Sequence, residues 1–381
     1  MKAVVHRQAL VDVLGLACGV VPSRSPKPVL TCVRLSTAST PRGKVLRCVS
    51  TDLEATLETT LAQVDIKQDG SALLPANKFN EIVNSSPDET LALEVSGEKA
   101  TLKGADSTFT LLGYNVEEFP PVSAFEGEPD FSLSAGQLKS MLDRTRFAAA
   151  REMSRYAING VLFERKAKKL SLVATDGHRL AQVRDEVQTS NTKDLSAVVP
   201  IKAINLLDRL LTDPEQSVQL QFRENKLFAR VLSSGGDQSD GAAVTAMFSA
   251  ALVEGSFPPY QDVIPKDCDR KATINRDKLL SGVRRAALLT NEESRSVKLS
   301  FSSKQLVISA RAPEMGEAKL EVPVDFSGEA IEIGFNPNYL ADALKVAPTE
   351  DVLFELKSPG KPGMIRSGAN FLYVVMPVNL S

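Results

Sequence analysis

Few side chains in this chain could carry acid–base chemistry, because its 381 residues include only two histidines. His178 follows Asp176 in the run TDGHRL, and His6 stands at the start of the first predicted helix. A carboxylate beside an imidazole could activate a nucleophile, but that chemistry needs a third positioned group and a pocket. The sequence offers no candidate for that group. We expect His6 to be exposed or to cap its helix.

The common sequence signatures of catalysis and of metal binding are missing. There is no phosphate-binding GxxxxGKS/T loop, no GxGxxG, no HExxH and no GxSxG. Neither CxxC nor Cys/His ligand spacing occurs at the four cysteines, which are Cys18, Cys32, Cys48 and Cys268. We interpret them as reduced core residues of a cytoplasmic protein. The sequence therefore predicts no catalytic residue, no metal and no cofactor.

The apolar run from Val13 to Val21 could be mistaken for an export signal. Arg7 and Asp12 interrupt the surrounding segment, and Gly15 stands where a lipoprotein signal carries a large aliphatic residue. We predict an amphipathic helix there. No other segment reaches the ~18 uninterrupted apolar residues that a membrane span needs, so no membrane contact is expected.

Charged residues nearly balance, with 45 lysines and arginines against 47 aspartates and glutamates and a formal net charge of −2. Such a chain has no bulk attraction for a polyanion, so a nucleic-acid surface would have to be a local basic patch. The composition, 43% hydrophobic and 24% charged, is that of a globular protein long enough for two or three domains.

Two structural signals recur along the chain at large spacing, which indicates an internal repeat. The first is a strand that runs into a one-sided helix, at 2–21, 131–150 and 272–289. Ser134 and Asn275 are predicted N-caps of two of these helices. The second signal is a strand, a Pro or Asn, a short helix and a closing proline. Its three copies end at Pro87, Pro214 and Pro348.

Matching proline-containing segments and turns between the copies divide the chain into three similar domains. EFPPV at 118–122 matches SFPPY at 256–260, and the turn Thr51-Asp52 matches Thr175-Asp176. The predicted domains are 1–127, 128–265 and 266–381. Each holds two strand-helix-strand units, so we predict an α+β fold with six helices between mostly antiparallel sheets. The low-complexity segment SSGGDQSDG at 233–241 is predicted to be an exposed hairpin loop without an assigned function.

Several blocks of this sequence closely resemble bacterial DNA polymerase III β subunits, in order and over the whole chain. They are VATDGHRLA at 173–181, YAINGVLFE at 156–164, FPPYQDVIP at 257–265, IGFNPNYLADAL at 333–344 and YVVMPV at 373–378. The resemblance implies three topologically similar domains of the DNA clamp fold, with helices lining a central hole and antiparallel sheets outside. Two such chains would close head to tail into a homodimeric ring, which leaves no free sheet edge.

The function implied by the resemblance is that of a sliding clamp, a non-catalytic accessory subunit that encircles double-stranded DNA without sequence preference and gives the polymerase processivity. Its partners would be the DNA polymerase III α subunit, the clamp loader, and other polymerases and repair proteins, all held through short linear peptides. The alternative is a non-enzymatic multidomain scaffold that does not bind DNA. The absence of an export signal and of a disulfide pattern disfavours an extracellular scaffold.

The resemblance also implies a surface groove for partner peptides. Its residues would be Arg155, Ile158, Thr175, Gly177, His178, Arg179, Leu180, Pro258, Val263, Tyr339, Pro362, Val374, Met376, Pro377 and Val378. Aliphatic and methionine side chains could bury the apolar anchors of a peptide, with an arginine at the rim. From the residues alone, the Asp-Gly segment is equally a polar hairpin turn, and 374–378 is equally a last core strand.

Three departures from the family pattern concern this groove. Asp262 stands where an arginine is familiar, Ala157 replaces an aromatic residue, and 379–381 reads NLS in place of a basic residue and a terminal leucine. We expect these departures to affect which partners are preferred.

The resemblance places a DNA-contacting arginine at Arg24, with Lys27 as its helper. The other predicted DNA contacts are basic residues on or beside the helices expected to line the hole: Lys78, Arg146, Arg151 and Lys202. Loose phosphate contact suits a ring that must slide. Acidic residues such as Asp143 and Asp208 are interleaved, so a solvated helix face of mixed charge explains the same pattern.

The contact between two chains of the ring is predicted from three hydrophobic residues. Phe109, in the strand STFTLLG, would pack against Leu288 and Leu289 of the second chain, at positions that match interface residues of the family. Alternatively, all three are core residues of their own domains.

Overall fold

The computed structural model describes residues 1–152, 156–234, 243–290, 296–312 and 315–379. Six helices lie in the described residues: α1 (Arg7–Cys18), α2 (Ala76–Ser85), α3 (Ala135–Asp143), α4 (Ile201–Asp208), α5 (Arg276–Ala286) and α6 (Pro337–Val346). Each begins at or just after the end of a strand. Both predicted strand-helix signals are therefore confirmed in all three of their copies. Arg155 and most of the 233–241 loop lie outside the described residues.

Side-chain caps begin the helices where the sequence predicted them. The Ser134 hydroxyl accepts a hydrogen bond from the Gln137 amide at 3.1 Å. The Asn275 side chain accepts one from the Lys278 amide at 3.1 Å. Each cap satisfies an amide that the first turn of a helix leaves without a partner, a contribution of about 1 kcal/mol.

The strands of the first repeat are β1 (Lys2–His6), β2 (Cys32–Thr40), β3 (Gly43–Thr51), β4 (Ala55–Leu61), β5 (Val64–Gln68), β6 (Ser71–Pro75), β7 (Thr90–Ser96), β8 (Lys99–Lys103) and β9 (Thr108–Leu112). Those of the second are β10 (Phe131–Ser134), β11 (Gly160–Lys166), β12 (Lys169–Thr175), β13 (Arg179–Glu186), β14 (Leu195–Pro200), β15 (Ser217–Arg223), β16 (Lys226–Leu232) and β17 (Val244–Ala251). Those of the third are β18 (Arg270–Asn275), β19 (Val297–Ser302), β20 (Gln305–Ala312), β21 (Gly316–Pro323), β22 (Asp325–Ser327), β23 (Ile331–Phe335), β24 (Asp351–Leu356), β25 (Gly363–Ser367) and β26 (Phe371–Val375).

These strands form four antiparallel sheets within the described residues. Two are small sheets, with the strand orders β5-β1-β7-β8-β9 and β21-β20-β19-β23. The two larger sheets have the orders β10-β15-β16-β17-β4-β3-β2-β6 and β14-β11-β12-β13-β26-β25-β24-β18-β22. Each large sheet joins strands of two neighbouring repeats, through β17 with β4 and through β13 with β26.

The described chain separates into two compact units. The first is Met1–Leu138, Gln188–Asn191 and Lys202–Leu252, and the second is Lys139–Val187, Thr192–Ile201 and Val253–Ser381. The division runs through the central repeat because its strands are shared between the two large sheets. The boundaries at 127 and 265 stay a prediction that comes from the sequence repeat.

Paired helices form the apolar core of each unit. In the first unit, Leu10 and Leu14 of α1 and Phe79 and Val83 of α2 are fully buried in one cluster with residues of both sheets. In the second unit, Leu279 and Val283 of α5 and Leu340 and Leu344 of α6 are fully buried. The i, i+4 spacing of each pair places both side chains on one helix face. Burial of each contributes about 1.5–3 kcal/mol.

Candidate peptide-binding groove

An open cavity of about 240 Å³ lies on the second unit, over the paired strands β13 and β26. Its wall is mostly aliphatic and aromatic, with one polar turn. The lining residues are Tyr156, Ile158, Thr175, Gly177, His178, Arg179, Leu180, Pro258, Pro259, Tyr260, Val263, Val374 and Met376. A cavity of this size and character suits the apolar side chains of an extended peptide.

Ten of the predicted groove residues line this cavity. Four others of the same unit do not line it: Tyr339, Pro362, Pro377 and Val378. Tyr339 lies behind the polar turn, where its ring stacks on that of His178 with 6.4 Å between centroids. The terminal strand is both core and groove wall, because Val375 is buried while Met376 is 39% exposed. The two sequence interpretations of this segment are therefore compatible.

Three lining residues were not predicted: Tyr156, Pro259 and Tyr260. All lie in the YAINGVLFE and FPPYQDVIP blocks, and the signal that could have found them is their adjacency to predicted residues. Tyr260 is 5% exposed and donates a hydrogen bond to Glu164 at 2.8 Å. Its hydroxyl also accepts one from the buried Gln182 amide at 3.3 Å. Burial, together with the hydrogen bond to Glu164, raises the pKa of Tyr260 to about 12.

The polar wall of the groove is the hairpin turn between β12 and β13. The Thr175 hydroxyl donates to the Arg179 carbonyl at 2.6 Å and accepts from the Gly177 amide at 3.1 Å. One carboxylate oxygen of Asp176 accepts from the amides of His178 and Arg179 at 3.0 and 3.1 Å. Gly177 has a φ of +89°, which a residue without a side chain adopts at little cost. The predicted Asp-Gly hairpin is confirmed.

The Arg179 guanidinium is held beneath this turn, and its side chain is only 10% exposed. It donates to Asp176 and Asp342 at 2.9 Å each and to the Phe147 carbonyl at 2.8 Å. It also stacks on the Tyr339 ring at 4.5 Å. Burial disfavours the charged form, but the carboxylates outweigh it and raise the pKa of Arg179 above its usual value.

The departures from the family pattern fall at different depths. Ala157 is buried in the apolar cluster under the groove, 3% exposed. Asp262 and Asn379 are exposed, and neither lines the cavity. Asp262 lies in the short 3-10 turn Tyr260–Val263, next to the lining residue Val263, which is 49% exposed. Its charge therefore lies beside the groove.

The side chains of this site that could act in catalysis make contacts that maintain the fold. Asp176 accepts hydrogen bonds from two backbone amides and from Arg179. The lining residues with hydroxyl groups are Tyr260, the exposed Tyr156 and Thr175, and the Thr175 hydroxyl holds the turn. His178 is exposed and stacks on Tyr339. The arrangement provides no nucleophile aligned with an acid–base pair among the lining residues. The predicted capping role of His6 is wrong, because its side chain makes no cap hydrogen bond to α1. The imidazole is 38% exposed, as the other alternative expected, and its Nε2 lies 4.0 Å from a Glu89 carboxylate oxygen.

All four cysteines are free thiols, two of them buried, Cys32 and Cys48, and two half-buried, Cys18 and Cys268. Burial raises the pKa of each thiol, to about 12 for Cys48. The described part of the chain contains no group of three or more His, Cys, Asp or Glu side chains that could hold a metal ion. None of its helices is both long enough and apolar enough to cross a membrane.

The predicted DNA contacts divide into paired and unpaired cations. Arg24 and Lys27 are exposed and form no ion pair with any described residue. Lys202 binds Asp52, and Lys78 binds Glu81. Arg146 is half-buried and contacts Asp143 at 2.5 Å. Arg151 is exposed. The interleaved acids therefore neutralise part of the predicted basic surface.

The predicted dimer residues are not core residues of their own units. Leu288 is 77% exposed in the 3-10 turn Ala287–Leu289 that follows α5, and Leu289 is half-buried. Phe109 is 37% exposed on β9, an edge strand of its sheet, and Leu112 of the same strand is 71% exposed. Exposed apolar side chains on an edge strand are unfavourable in an isolated chain, so a partner is expected to cover them.

These features are those of a chain built from repeated α+β units, with an apolar binding groove on its surface. Three family models of the DNA polymerase III β subunit match the chain in order: its N-terminal domain at 1–123, its central domain at 132–259 and its C-terminal domain at 261–379. The chain belongs to the DNA polymerase III β subunit family, with the three-domain clamp fold and without catalytic activity of its own. The resemblance predicted from the sequence is confirmed.

Relatives match over their full length. The chain is 35% identical to the β sliding clamp of Pseudomonas aeruginosa and 33% identical to that of Escherichia coli, with 100% of each chain covered. A solved structure of the P. aeruginosa sliding clamp bound to griselimycin has a TM-score of 0.90 and 34% identity, again with 100% of both chains covered.

Proposed function

We propose that this chain is a sliding clamp, of which two copies close head to tail into a ring around duplex DNA. The ring tethers the DNA polymerase III α subunit, the clamp loader, and other polymerases and repair proteins through short linear peptides. The three predicted domains, at 1–127, 128–265 and 266–381, supply the six helices that face the DNA. A cytoplasmic location is part of the same proposal.

The observation that carries this proposal is the apolar cavity over β13 and β26 in a chain that matches β sliding clamps from end to end. Met376, Val374 and Leu180 form an apolar surface that could bury aliphatic or aromatic peptide anchors, with His178 at the rim. Arg155 is proposed to act with His178, although it lies outside the described residues. The groove needs no catalytic residue for this function, because it only binds partner peptides while the ring encloses DNA.

Binding of a labelled peptide from the polymerase subunit to the Met376→Ala variant tests this function. Truncating a central anchor costs about 2 kcal/mol or more, which weakens binding about 30-fold. Met315→Ala is the matched control, because Met315 is a methionine of the same unit that is 61% exposed and does not line the cavity. Equal peptide affinity in Met376→Ala and wild type would place the partner site elsewhere.

A further inference from the structure

Arg179 lines the groove, yet its guanidinium is turned to partners inside the protein. Three of its nitrogens donate, to Asp176, to Asp342 of α6 and to the Phe147 carbonyl. The planar fork of an arginine suits such a divided set of acceptors, and its face rests on the Tyr339 ring at 4.5 Å. Little of the group is left to hold a peptide, since the side chain is only 10% exposed.

The first repeat contains the same turn without the arginine. There the Thr51 hydroxyl donates to the Ala55 carbonyl at 3.0 Å and accepts from the Leu53 amide at 3.1 Å. One Asp52 oxygen accepts from the amides of Glu54 and Ala55 at 3.0 and 2.6 Å. Leu53 has a φ of +77° at the place of the glycine in the second repeat.

Four corresponding hydrogen bonds therefore form with Ala55 at the arginine position. The turn does not need Arg179 in order to fold, so the arginine has another role in the second repeat. In the second repeat, Arg179 connects the turn to α6 through its contacts with Asp342 and Tyr339. The same tyrosine ring stacks on His178, at 6.4 Å and 19°.

We propose that Arg179 and Asp342 are positioning residues of the groove, which hold the turn 175–180 against α6 and thereby fix the His178 wall. Arg179 contributes little direct recognition of the peptide. Lysine could not replace it, because an ammonium group cannot direct its hydrogen bonds along the same planar fork to three separated acceptors. This proposal depends on the proposed peptide-binding function only for the affinity measurement, because the NMR measurement is made without a peptide.

The ligand-free measurement uses the two histidines of the chain, whose labelled imidazoles each give NMR signals. In both Arg179→Lys and Asp342→Asn, the His178 signals should shift while the His6 signals stay in place as the internal reference. Arg270→Lys is the matched control, because Arg270 also bridges two carboxylates, Asp269 and Glu329, with 15% of its side chain exposed. It should move neither histidine. Unmoved His178 signals in Arg179→Lys and Asp342→Asn would overturn the proposal.

The affinity measurement uses the labelled polymerase peptide with neutral or with acidic flanking residues. Arg179→Lys and Asp342→Asn should each weaken binding about tenfold, and the double variant should be no weaker than the single ones, because both break one connection. The loss should be the same for both peptides, since the arginine does not contact their charges. A loss in Arg179→Lys alone that grows with peptide acidity would instead show direct contact and overturn the positioning role.

Failure of the proposed function gives a different result. If wild type and Met376→Ala bind the peptide equally, the partner site is elsewhere, while the shift of the His178 signals still decides the positioning role. Melting temperatures separate these effects from unfolding, and Asp342→Asn keeps the test valid if Arg179→Lys does not fold.

Discussion

At the scale of residues, the groove depends on side chains that combine an apolar body with an anchored polar end. Tyr260 presents its ring to the cavity, while its hydroxyl is held by Glu164 and Gln182 below. Tyr339 likewise supports His178 and Arg179 from behind the wall. The cavity therefore keeps its shape through hydrogen bonds that do not face the ligand, which lowers the ordering cost of binding.

Tyr260→Phe should expose this anchoring. Loss of the hydroxyl leaves Gln182 and Glu164 short of a partner, and we expect the free energy of unfolding to fall by about 1 kcal/mol at neutral pH. Because the folded state raises the pKa of Tyr260 to about 12, from its ordinary value of about 10, the wild type should lose stability as pH rises through that interval. The variant should show a shallower loss there in chemical denaturation.

A control variant separates the loss of the Tyr260 hydroxyl from the general effect of removing a tyrosine hydroxyl. Tyr114→Phe, in the first unit, should leave peptide affinity at the wild-type value, whereas Tyr260→Phe should weaken it. An unfolding free energy that depends on alkaline pH in the same way in Tyr260→Phe and wild type would contradict the anchoring account.

Sequence alone could identify most of the groove but not how its parts are held. The Thr-Asp turn, the FPPY segment and the terminal strand lie in blocks that resemble the family, and that resemblance predicted the ten lining residues. The ion pair of Arg179 with Asp342 joins positions 163 residues apart, and that of Lys202 with Asp52 joins positions 150 apart. No local pattern encodes such partners. For the same reason, Arg179 was predicted as a groove residue without its partners inside the protein.

At the scale of elements, the helices follow from local signals and the sheets do not. Apolar spacing marks the helices within a few neighbouring residues, and Ser134 and Asn275 add side-chain caps to α3 and α5. Strand pairing is set by distant chain segments, and β4 pairs with β17 of the next repeat. The particular strand pairs that continue each large sheet across a repeat boundary come from the structure, since no local pattern specifies them.

The 3-10 turn Ala287–Leu289 after α5 is the element that tests the dimer contact. Leu288→Ala with Leu289→Ala should give a folded monomer of 41.1 kDa in sedimentation velocity, where the wild type should have twice that mass. Each leucine that a partner buries contributes about 2 kcal/mol, so the loss of both should separate the chains at micromolar concentration.

Leu53→Ala is the control for this test, because Leu53 is also exposed, at 54%, and lies outside the proposed contact. It should remain a dimer. A leucine pair variant with the dimer mass and a normal circular dichroism spectrum would show that the chains meet elsewhere.

At the scale of the whole molecule, the net charge of −2 fits a protein that holds DNA by enclosure and not by bulk attraction. Weak, distributed phosphate contacts allow sliding, since they have nearly equal energy at every position along the duplex. Lys78 and Lys202 are predicted DNA contacts whose charges Glu81 and Asp52 offset, so we expect each of them to bind a phosphate weakly.

Arg24→Ala should weaken binding to linear duplex DNA in the same proportion for any sequence. Each lost phosphate contact should flatten the slope of log affinity against log salt concentration by about one unit. Lys202→Ala is the comparison, and it should change the slope less because Asp52 already neutralises this cation. A loss that depended on base sequence would indicate base readout.

Retention on closed circular DNA tests the central claim most directly. The wild-type chain, loaded by its clamp loader, should remain on circular DNA through gel filtration at a salt concentration that removes simple electrostatic binders. Cutting the circle once should release it, because a ring can slide off a free end. Retention that is equal on circular and linearised DNA, or absent on both, would contradict topological enclosure.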